Sequence, residues 1–325
     1  MMNGCSKMNQ NLISELYKIV GEQNVSLNEP MSRHTTFRIG GPAQIFVTPQ
    51  TAEELGQVVL SCNAYKVPFF MLGHGSNLLV SDEGMEGVVI QLYRNFSNFS
   101  IEETRVKAQA GVMLHMLGNA VRDAGLTGFE FAAGIPGTLG GAIMMNAGAY
   151  GGEMKDIVER VQLMDSNGNL LEKTVEEMEF GYRHSIVEEK GYIVLGATLA
   201  LQRGDKEAIT ARMEELAAAR RTKQPLEFPS AGSTFKRPEG YFAGKLIMDA
   251  GLRGYSVGGA QVSEKHCGFV INKGGATAAD VLQLIQDVRE RVYDRFQVEL
   301  EPEIKLTGRN GQIEKQRNEG RICGL

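Results

Sequence analysis

The feature that most constrains this chain is a stretch, residues 133–152, in which seven of twenty residues are glycine. Over the whole sequence 39 of 325 residues are glycine, an excess over the usual ~7%. Glycine is favoured where the backbone needs a positive φ angle or must approach another group closely. The excess is typical of a turn-rich fold with closely packed backbones. It is equally typical of a backbone against which a flat, extended ligand lies.

A second glycine loop, Leu72-Gly-His-Gly-Ser-Asn77, follows an apolar segment that is predicted to be a strand. Two glycines that flank one residue expose successive backbone N–H groups, and the serine and asparagine add side-chain donors. Such a concave row of donors suits a pyrophosphate. The loop is not the G-x-G-x-x-G fingerprint, and no helix is predicted behind it, so a Rossmann NAD site is not supported. A tight connection between two strands explains the loop equally well.

Composition and charge exclude several classes of function. The net charge of -5 leaves no electrostatic footprint for nucleic acid. No apolar stretch approaches the ~18–20 residues that span a bilayer, and the first residues do not resemble a signal peptide. The four cysteines are scattered, without the spacing of a metal site. We therefore expect a soluble cytoplasmic protein that binds small molecules, with no metal and no evident obligate protein partner.

Hydrophobic periodicity predicts helices and strands that do not alternate as regular βαβ units. Helices are predicted at 8–20, after a capping box at Thr51–Glu54, and at 112–124, 206–222 and 281–296. Strands are predicted at 68–72, 78–80, 87–92, 104–109, 192–201 and 298–306, with a hairpin at 162–171. An α+β architecture is therefore expected. A proline-bearing segment, Gln224–Pro229, cannot continue the preceding helix, and we place a domain boundary there.

Six segments in one order resemble the UDP-N-acetylenolpyruvoylglucosamine reductases. Three look like the flavin-cradling loops of that family: Gly73-x-Gly-Ser-Asn77, Gly134-Ile-Pro-Gly-x-x-Gly140 and Asn146-x-Gly-Ala-Tyr150. Three resemble its catalytic segments: Gly181-Tyr-Arg-His-Ser185, Gly232-Ser-x-Phe-Lys236 and Leu300-Glu-Pro-Glu-Ile304. The match extends over residues 30–307. Six segments in order are far more specific than any one of them.

The resemblance implies a fold like that of the p-cresol methylhydroxylase and vanillyl-alcohol oxidase flavoproteins. Two lobes, expected at 1–80 and 81–224, would hold FAD non-covalently, and a C-terminal α+β domain at 225–310 would bind substrate, before a polar tail at 311–325. NADPH is implied as electron donor by resemblance alone, since no motif for its 2′-phosphate is found. The implied cofactor-binding residues are Gly73, Gly75, Ser76, Asn77, Leu78, Gly134, Ile135, Pro136, Gly137, Thr138, Gly140, Gly141, Asn146, Gly148 and Arg221.

The resemblance also implies a reaction and the residues that perform it. Members of this family reduce the enolpyruvyl ether of a UDP-sugar to a lactyl ether, which gives UDP-N-acetylmuramate for peptidoglycan. The family's proton donor falls on Ser233, its substrate-polarising arginine on Arg183 and its acidic partner on Glu303. Hydride arriving at the methylene carbon leaves an enolate, which a fixed cation stabilises and an acid then protonates. The glutamate acts there either as a neutral acid or by orienting a neighbour.

Four further residues are implied to bind the substrate: Tyr182 and, at the nucleotide end, Lys223, Arg237 and His266. Arg237 departs from the asparagine that is typical of the proteobacterial branch. The chain also lacks the insertion whose tyrosine covers the substrate in that branch. It therefore resembles the shorter, second type of the family.

Two other functions remain open from the sequence. Some flavoprotein oxidases of the same superfamily attach flavin to a histidine in a glycine-rich loop, and His74 lies in such a loop. A catalytically silent protein that binds nucleotide sugars is the third possibility, although the joint presence of Ser233, Arg183 and Glu303 argues against it. Taken singly, these three residues are typical of a turn, a surface and an exposed strand end.

Overall fold

The computed structural model describes residues 2–308, with side chains described from residue 10 onward. The polar tail predicted at 311–325 lies outside these residues. Among the described residues, no helix combines the length and the apolar character needed to cross a bilayer.

The first part of the chain builds a four-stranded sheet with strand order β1-β2-β5-β3, the first sheet. The two pairings to β5 are parallel, and β1 runs antiparallel to β2. Helix α2 packs its apolar stripe into the core, as its sequence pattern predicts. The elements are α1 (Met2–Val20), β1 (Val25–Pro30), β2 (Pro42–Val47), α2 (Ala52–Ala64), β3 (Phe69–Leu72), β4 (Leu78–Val80) and β5 (Met85–Gln91).

The middle of the chain builds the second sheet, five antiparallel strands in the order β12-β11-β13-β7-β6. Its elements are β6 (Phe99–Glu102), β7 (Arg105–Gln109), α3 (Leu114–Asp123), β8 (Leu126–Thr127), α4 (Leu139–Met144), β9 (Gly148–Ala149), β10 (Gly152–Glu153), β11 (Val158–Met164), β12 (Leu170–Thr174), α5 (Ile186–Lys190), β13 (Ile193–Ala200), β14 (Gln202–Arg203) and α6 (Lys206–Lys223). The Asp205 carboxylate caps α6 by accepting the N–H of Ala208 at 2.8 Å, as the sequence predicts.

The last part of the chain builds the third sheet, antiparallel strands in the order β15-β18-β17-β16. Helix α8 buries Val281, Ile285, Val288 and Val292 beneath it, in agreement with the predicted apolar stripe. The elements are β15 (Ser230–Ser233), α7 (Ala243–Asp249), β16 (Ser256–Val257), β17 (Ala260–Val262), β18 (Phe269–Asn272), α8 (Ala278–Phe296) and β19 (Lys305–Thr307). Strand β19 pairs in parallel with β4, so residues 305–307 lie beside the strand that follows the first glycine loop.

Two details of the local prediction are wrong. The strand expected over 298–306 is confined to β19, because the segment before it carries Pro302, which has no N–H to donate, and makes only an isolated bridge to Phe235. The capping box at α2 is only half formed. Thr51 accepts the N–H of Glu54, but the Glu54 carboxylate takes the N–H of Gln50 instead of returning to Thr51.

Candidate active site

The first glycine loop joins β3 to β4 and leaves its N–H groups unused. Within residues 2–308, no acceptor takes the backbone N–H groups of residues 73–76. The loop is held from outside instead, since Gln91 donates to the Gly73 carbonyl at 2.9 Å and Thr36 donates its N–H to the Gly75 carbonyl at 3.1 Å. Gly75 has φ +67°, and a Cβ there would overlap the His34 carbonyl oxygen. The backbone is therefore fixed with its donors facing outward, as an anion site requires.

The second glycine loop, residues 134–141, lies against the first. A Cβ on Gly73 would lie 2.5 Å from Thr138 Oγ1, and one on Gly137 would lie 3.1 Å from Ser76 Oγ. Not every N–H of this loop is available, because Leu139 donates to Val112 and Gly140 to Ala110. The two loops therefore lie side by side, and each keeps several backbone N–H groups without an acceptor among the described residues. This close approach leaves no room for side chains at the facing glycines.

Two polar groups beside these loops fit a bound flavin nucleotide. His74 Nδ1 is buried and has no hydrogen-bond partner in the described part of the chain. Burial, with the nearby His115 adding to it, lowers the pKa of His74, so the ring is neutral near pH 7. Arg220 lies with its Nε 3.3 Å from the position of a Cβ on Gly134. None of the described carboxylates pairs with this arginine, whose pKa burial lowers.

The structure changes which arginine of α6 faces the cofactor loops. Arg221, which the resemblance implied, is exposed, whereas its neighbour Arg220 is half-buried against Gly134. Helix geometry explains the difference, since Arg220 lies four residues after the buried Leu216 and shares its face. The sequence contained this information, because Arg220 lies four residues after the apolar Leu216 and so on the same face of the helix.

Other residues implied to bind the cofactor make contacts within the protein. Asn77 donates to Met145 Sδ at 3.0 Å and to the Glu303 carbonyl at 3.2 Å, while Leu78 is buried in β4. Asn146 is 1% exposed and its amide bonds only to protein groups. Gly148 lies in the β9–β10 hairpin, where a Cβ would lie 2.8 Å from the Gly152 carbonyl oxygen. These residues shape the site from behind.

The three implied catalytic residues come from distant segments and lie together. Arg183 Nε contacts Glu303 Oε1 at 2.7 Å, with side chains 22% and 13% exposed. The Glu303 N–H in turn donates to the carbonyl of Thr234, the neighbour of Ser233, at 2.8 Å. Ser233 is exposed at the end of β15, and no described group hydrogen-bonds its hydroxyl. The arrangement combines an oriented cation, its carboxylate partner and an available hydroxyl.

Two of the residues implied to bind the substrate are in direct contact. The Tyr182 hydroxyl accepts the N–H of Arg237 at 3.3 Å, and both line a cleft of about 300 Å³ with Lys236. The Arg237 guanidinium stacks 4.1 Å from the centre of the Phe242 ring, a pairing that the sequence pattern did not predict. A fixed guanidinium beside an exposed aromatic ring suits a phosphate and a base.

The other two lie apart from that pair. Lys223 is exposed at the end of α6. His266 is half-buried, its pKa is lowered by burial, and its Nδ1 accepts the Gly268 N–H at 3.1 Å. Because Nδ1 accepts, the neutral ring carries its proton on Nε2, which is left as a donor. No group of three or more His, Cys, Asp or Glu side chains among residues 10–308 is arranged to hold a metal ion.

Comparison with known proteins agrees with this geometry. An FAD-binding domain model matches residues 43–174, and the model for the C-terminal domain of UDP-N-acetylenolpyruvoylglucosamine reductase matches residues 224–307. The UDP-N-acetylenolpyruvoylglucosamine reductase of Clostridioides difficile is 54% identical over 92% of this chain and 99% of its own length. That of Lachnoclostridium phytofermentans is 55% identical over 93% of this chain and 98% of its own.

A solved structure shows the same architecture. The crystal structure of UDP-N-acetylenolpyruvylglucosamine reductase from Thermus caldophilus superposes with a TM-score of 0.74 at 39% identity. The superposition covers 87% of this chain and 97% of that one. Together with the domain matches, it confirms the prediction of an α+β, FAD-binding fold followed by a C-terminal domain.

Proposed function

Because this chain belongs to the UDP-N-acetylenolpyruvoylglucosamine reductase family, we propose that Arg183, Glu303 and Ser233 reduce the enolpyruvyl group of UDP-N-acetylenolpyruvoylglucosamine. The product is the lactyl ether, UDP-N-acetylmuramate, a precursor of peptidoglycan in the cytoplasm. The contact of Arg183 with Glu303 beside the free hydroxyl of Ser233 is the observation that supports this proposal. The three groups supply the charge and the proton that reduction of an enol ether requires.

The residues present fit FAD. The free N–H groups of residues 73–76 would receive its pyrophosphate, and Arg220 and the buried His74 Nδ1 would meet polar atoms of the cofactor. Bound FAD supplies hydride, and NADPH is the proposed electron donor. Binding is non-covalent, so precipitation with acid should release all the flavin. Flavin that stayed with the precipitate would instead support a link through His74.

The protein's own groups control charge and protonation. When hydride reaches the methylene carbon, negative charge develops on the substrate carboxylate and the adjoining carbon. Arg183 stabilises that charge, because its guanidinium is already oriented and needs no reorganisation. Glu303 orients this arginine, and its 2.7 Å contact with Arg183 Nε supports the orienting role over that of a neutral acid. Ser233 donates its proton to the carboxylate-bearing carbon.

Four residues are proposed to bind the nucleotide end of the substrate rather than the reacting carbons. Arg237 and Tyr182 form one wall of the cleft, and the Nε2 of His266 is a donor. Lys223 adds a cation at the end of α6. Loss of such uniform binding raises KM far more than it lowers kcat.

The decisive experiment separates the two half-reactions of Ser233→Ala by stopped-flow absorbance of the flavin. Reduction of the flavin by NADPH should stay near the wild-type rate, because no substrate carbon is protonated in that step. Oxidation of the reduced flavin by substrate should slow by about 10²–10⁴-fold, as expected for a lost general acid. Ser230→Ala in the same strand is the matched control. Equal slowing of both half-reactions would show that the serine positions the flavin instead.

A further inference from the structure

The turn that presents Arg183 has a conformation that its own residues do not favour. Arg183 has φ +55°, in the left-handed region that a non-glycine residue occupies only at an energetic cost. The turn closes through paired backbone bonds between Gly181 and His184, of 3.1 and 3.3 Å. Such a conformation persists only where the surroundings determine it. Contacts from outside the turn must therefore hold it in this conformation.

Two buried side chains attach the turn at its two ends to one loop. Asn146 Nδ2 donates to the Gly181 carbonyl at 3.0 Å, and Ser185 Oγ donates to the Met144 carbonyl at 2.7 Å. Both side chains belong to residues that are 1% exposed. The two bonds enclose Arg183 between them. Residues 144–146 thus hold the turn by a hydrogen bond at each of its ends.

The amide of Asn146 is committed to this task. Its second proton goes to Glu153 Oε2 at 2.9 Å, and its Oδ1 accepts the Lys155 N–H at 3.0 Å. Because an amide nitrogen has two protons, neither is left for a cofactor. The ion pair with Lys155 holds the pKa of Glu153 below its usual range, so this acceptor is ionised near pH 7. The orientation of the amide is fixed accordingly.

We infer that Asn146 and Ser185 are positioning residues that place the Arg183 guanidinium against Glu303, and that Asn146 does not bind flavin through its side chain. The inference rests on the proposed function, since it acts through the arginine assigned there. It replaces the cofactor role that the resemblance implied for Asn146. Displacement of a catalytic group by about 1 Å is enough to slow a reaction by roughly 10²-fold.

Three variants test the two attachments. Asn146→Gly removes the amide and tolerates the φ of +42° at this position. Asn146→Asp keeps the shape but loses at least one of the two donated protons, because even a protonated carboxyl group has only one. Ser185→Ala removes the other attachment, and it tests the inference independently if the Asn146 variants do not fold. Each should slow oxidation of reduced flavin by substrate by about 10²-fold, with wild-type rates of flavin reduction and an unchanged Kd for FAD.

A double-mutant cycle with Arg183→Ala identifies the route of the effect. If Asn146 and Ser185 act through Arg183, their variants cause no further loss once Arg183 is alanine. Asn24→Ala is the matched control, because Asn24 also donates from its amide to a backbone carbonyl, that of Val20, far from the site. It should leave both half-reactions unchanged.

Three outcomes would overturn the inference, and only the third overturns the proposed function as well. An equal loss in both backgrounds, or a weaker Kd for FAD in the Asn146 variants, would show a role in folding or flavin binding. Wild-type protein whose reduced flavin is not oxidised by the enolpyruvyl nucleotide sugar would overturn the proposed function and this inference with it. That result needs no variant, so the two failures are distinguishable.

Discussion

The cofactor loops and the catalytic cluster are built on opposite principles. Residues 73–76 and 134–141 offer backbone N–H groups, and a Cβ at Gly73, Gly75 or Gly140 would lie too close to neighbouring atoms. Arg183, Ser233 and Glu303, the proposed catalytic residues, offer side chains that three distant segments bring together. A site that uses backbone N–H groups is damaged when a substitution adds a side chain to a glycine. A site that uses side chains is damaged when a substitution removes the polar group. Substitutions in the two regions should therefore produce different kinds of loss.

The largest effect is expected from Gly75→Ala in the first region. The added Cβ would overlap the His34 carbonyl, and φ +67° is unfavourable for alanine. Left-handed strain of about 1–2 kcal/mol and overpacking of about 1–3 kcal/mol together predict a loss of roughly 2–5 kcal/mol of stability. Chemical denaturation and the content of FAD per chain measure it. Gly191→Ala, at φ +64° with nothing within 4 Å, is the control, and an equal loss there would show that strain alone matters.

The second effect separates charge from geometry at Arg183. Arg183→Ala should slow substrate-dependent oxidation of the flavin by about 10²–10³-fold, the loss typical of one stabilising donor. Arg183→Lys keeps the charge but not the planar group that meets Glu303 at 2.7 Å. It should recover only part of the rate. Single-turnover kinetics give both values, and full recovery by lysine would mean that orientation by Glu303 is unimportant. Neither variant should alter stability as Gly75→Ala does.

A smaller effect is expected where a side chain supports the backbone site. Arg220→Ala should raise the Kd for FAD by about 10–100-fold, which corresponds to a charge-assisted hydrogen bond of about 1.5–3 kcal/mol. Arg221→Ala is the matched control, because this neighbouring arginine is exposed. Titration of the apoprotein with FAD, followed by fluorescence, measures both. A larger loss for Arg221 than for Arg220 would restore the assignment implied by the sequence.

The smallest effect concerns the stability of the folded protein in mild acid. Burial lowers the pKa of His266 below its ordinary value of 6.5, so just below pH 6.5 the unfolded chain binds more protons than the folded one. Stability therefore falls as pH decreases through this window. Glutamine does not titrate, so the stability of His266→Gln should fall less than that of the wild type between about pH 7.5 and 5.5. Urea denaturation at a series of pH values measures both. His74 lowers the stability of both proteins in acid in the same way. Equal losses of stability with pH in the wild type and in His266→Gln would contradict the prediction.

Much of the fold follows from local pattern, because the apolar stripes of α2 and α8 and the cap at Asp205 are short-range signals. The strand expected at 298–306 was wrong because apolar residues around Pro302 fill the core without forming a ladder. The bounds of α3, α6 and α8 were predicted to within three residues, whereas α1 begins at Met2, six residues before the predicted start. Local pattern does not reveal how the three sheets meet.

The candidate site divides in the same way. The glycine loops can be recognised in the sequence because their requirement for glycine is local. The task of Asn146 could not be predicted, since its partner Gly181 lies 35 residues away and is met only in the fold. The stacking of Arg237 on Phe242 could not be predicted either, because neighbours in sequence do not specify side-chain direction.

The parallel pairing of β19 with β4 has a consequence for biosynthesis. Asn77 donates to the carbonyl of Glu303, a residue 226 positions later, and β19 follows directly. On the ribosome, the first glycine loop emerges long before the strand that completes its sheet. A nascent chain that stops before residue 303 contains both glycine loops but has no Glu303 beside Arg183. If Glu303 has the proposed role, products that stop before residue 303 should therefore be inactive, even when they bind FAD.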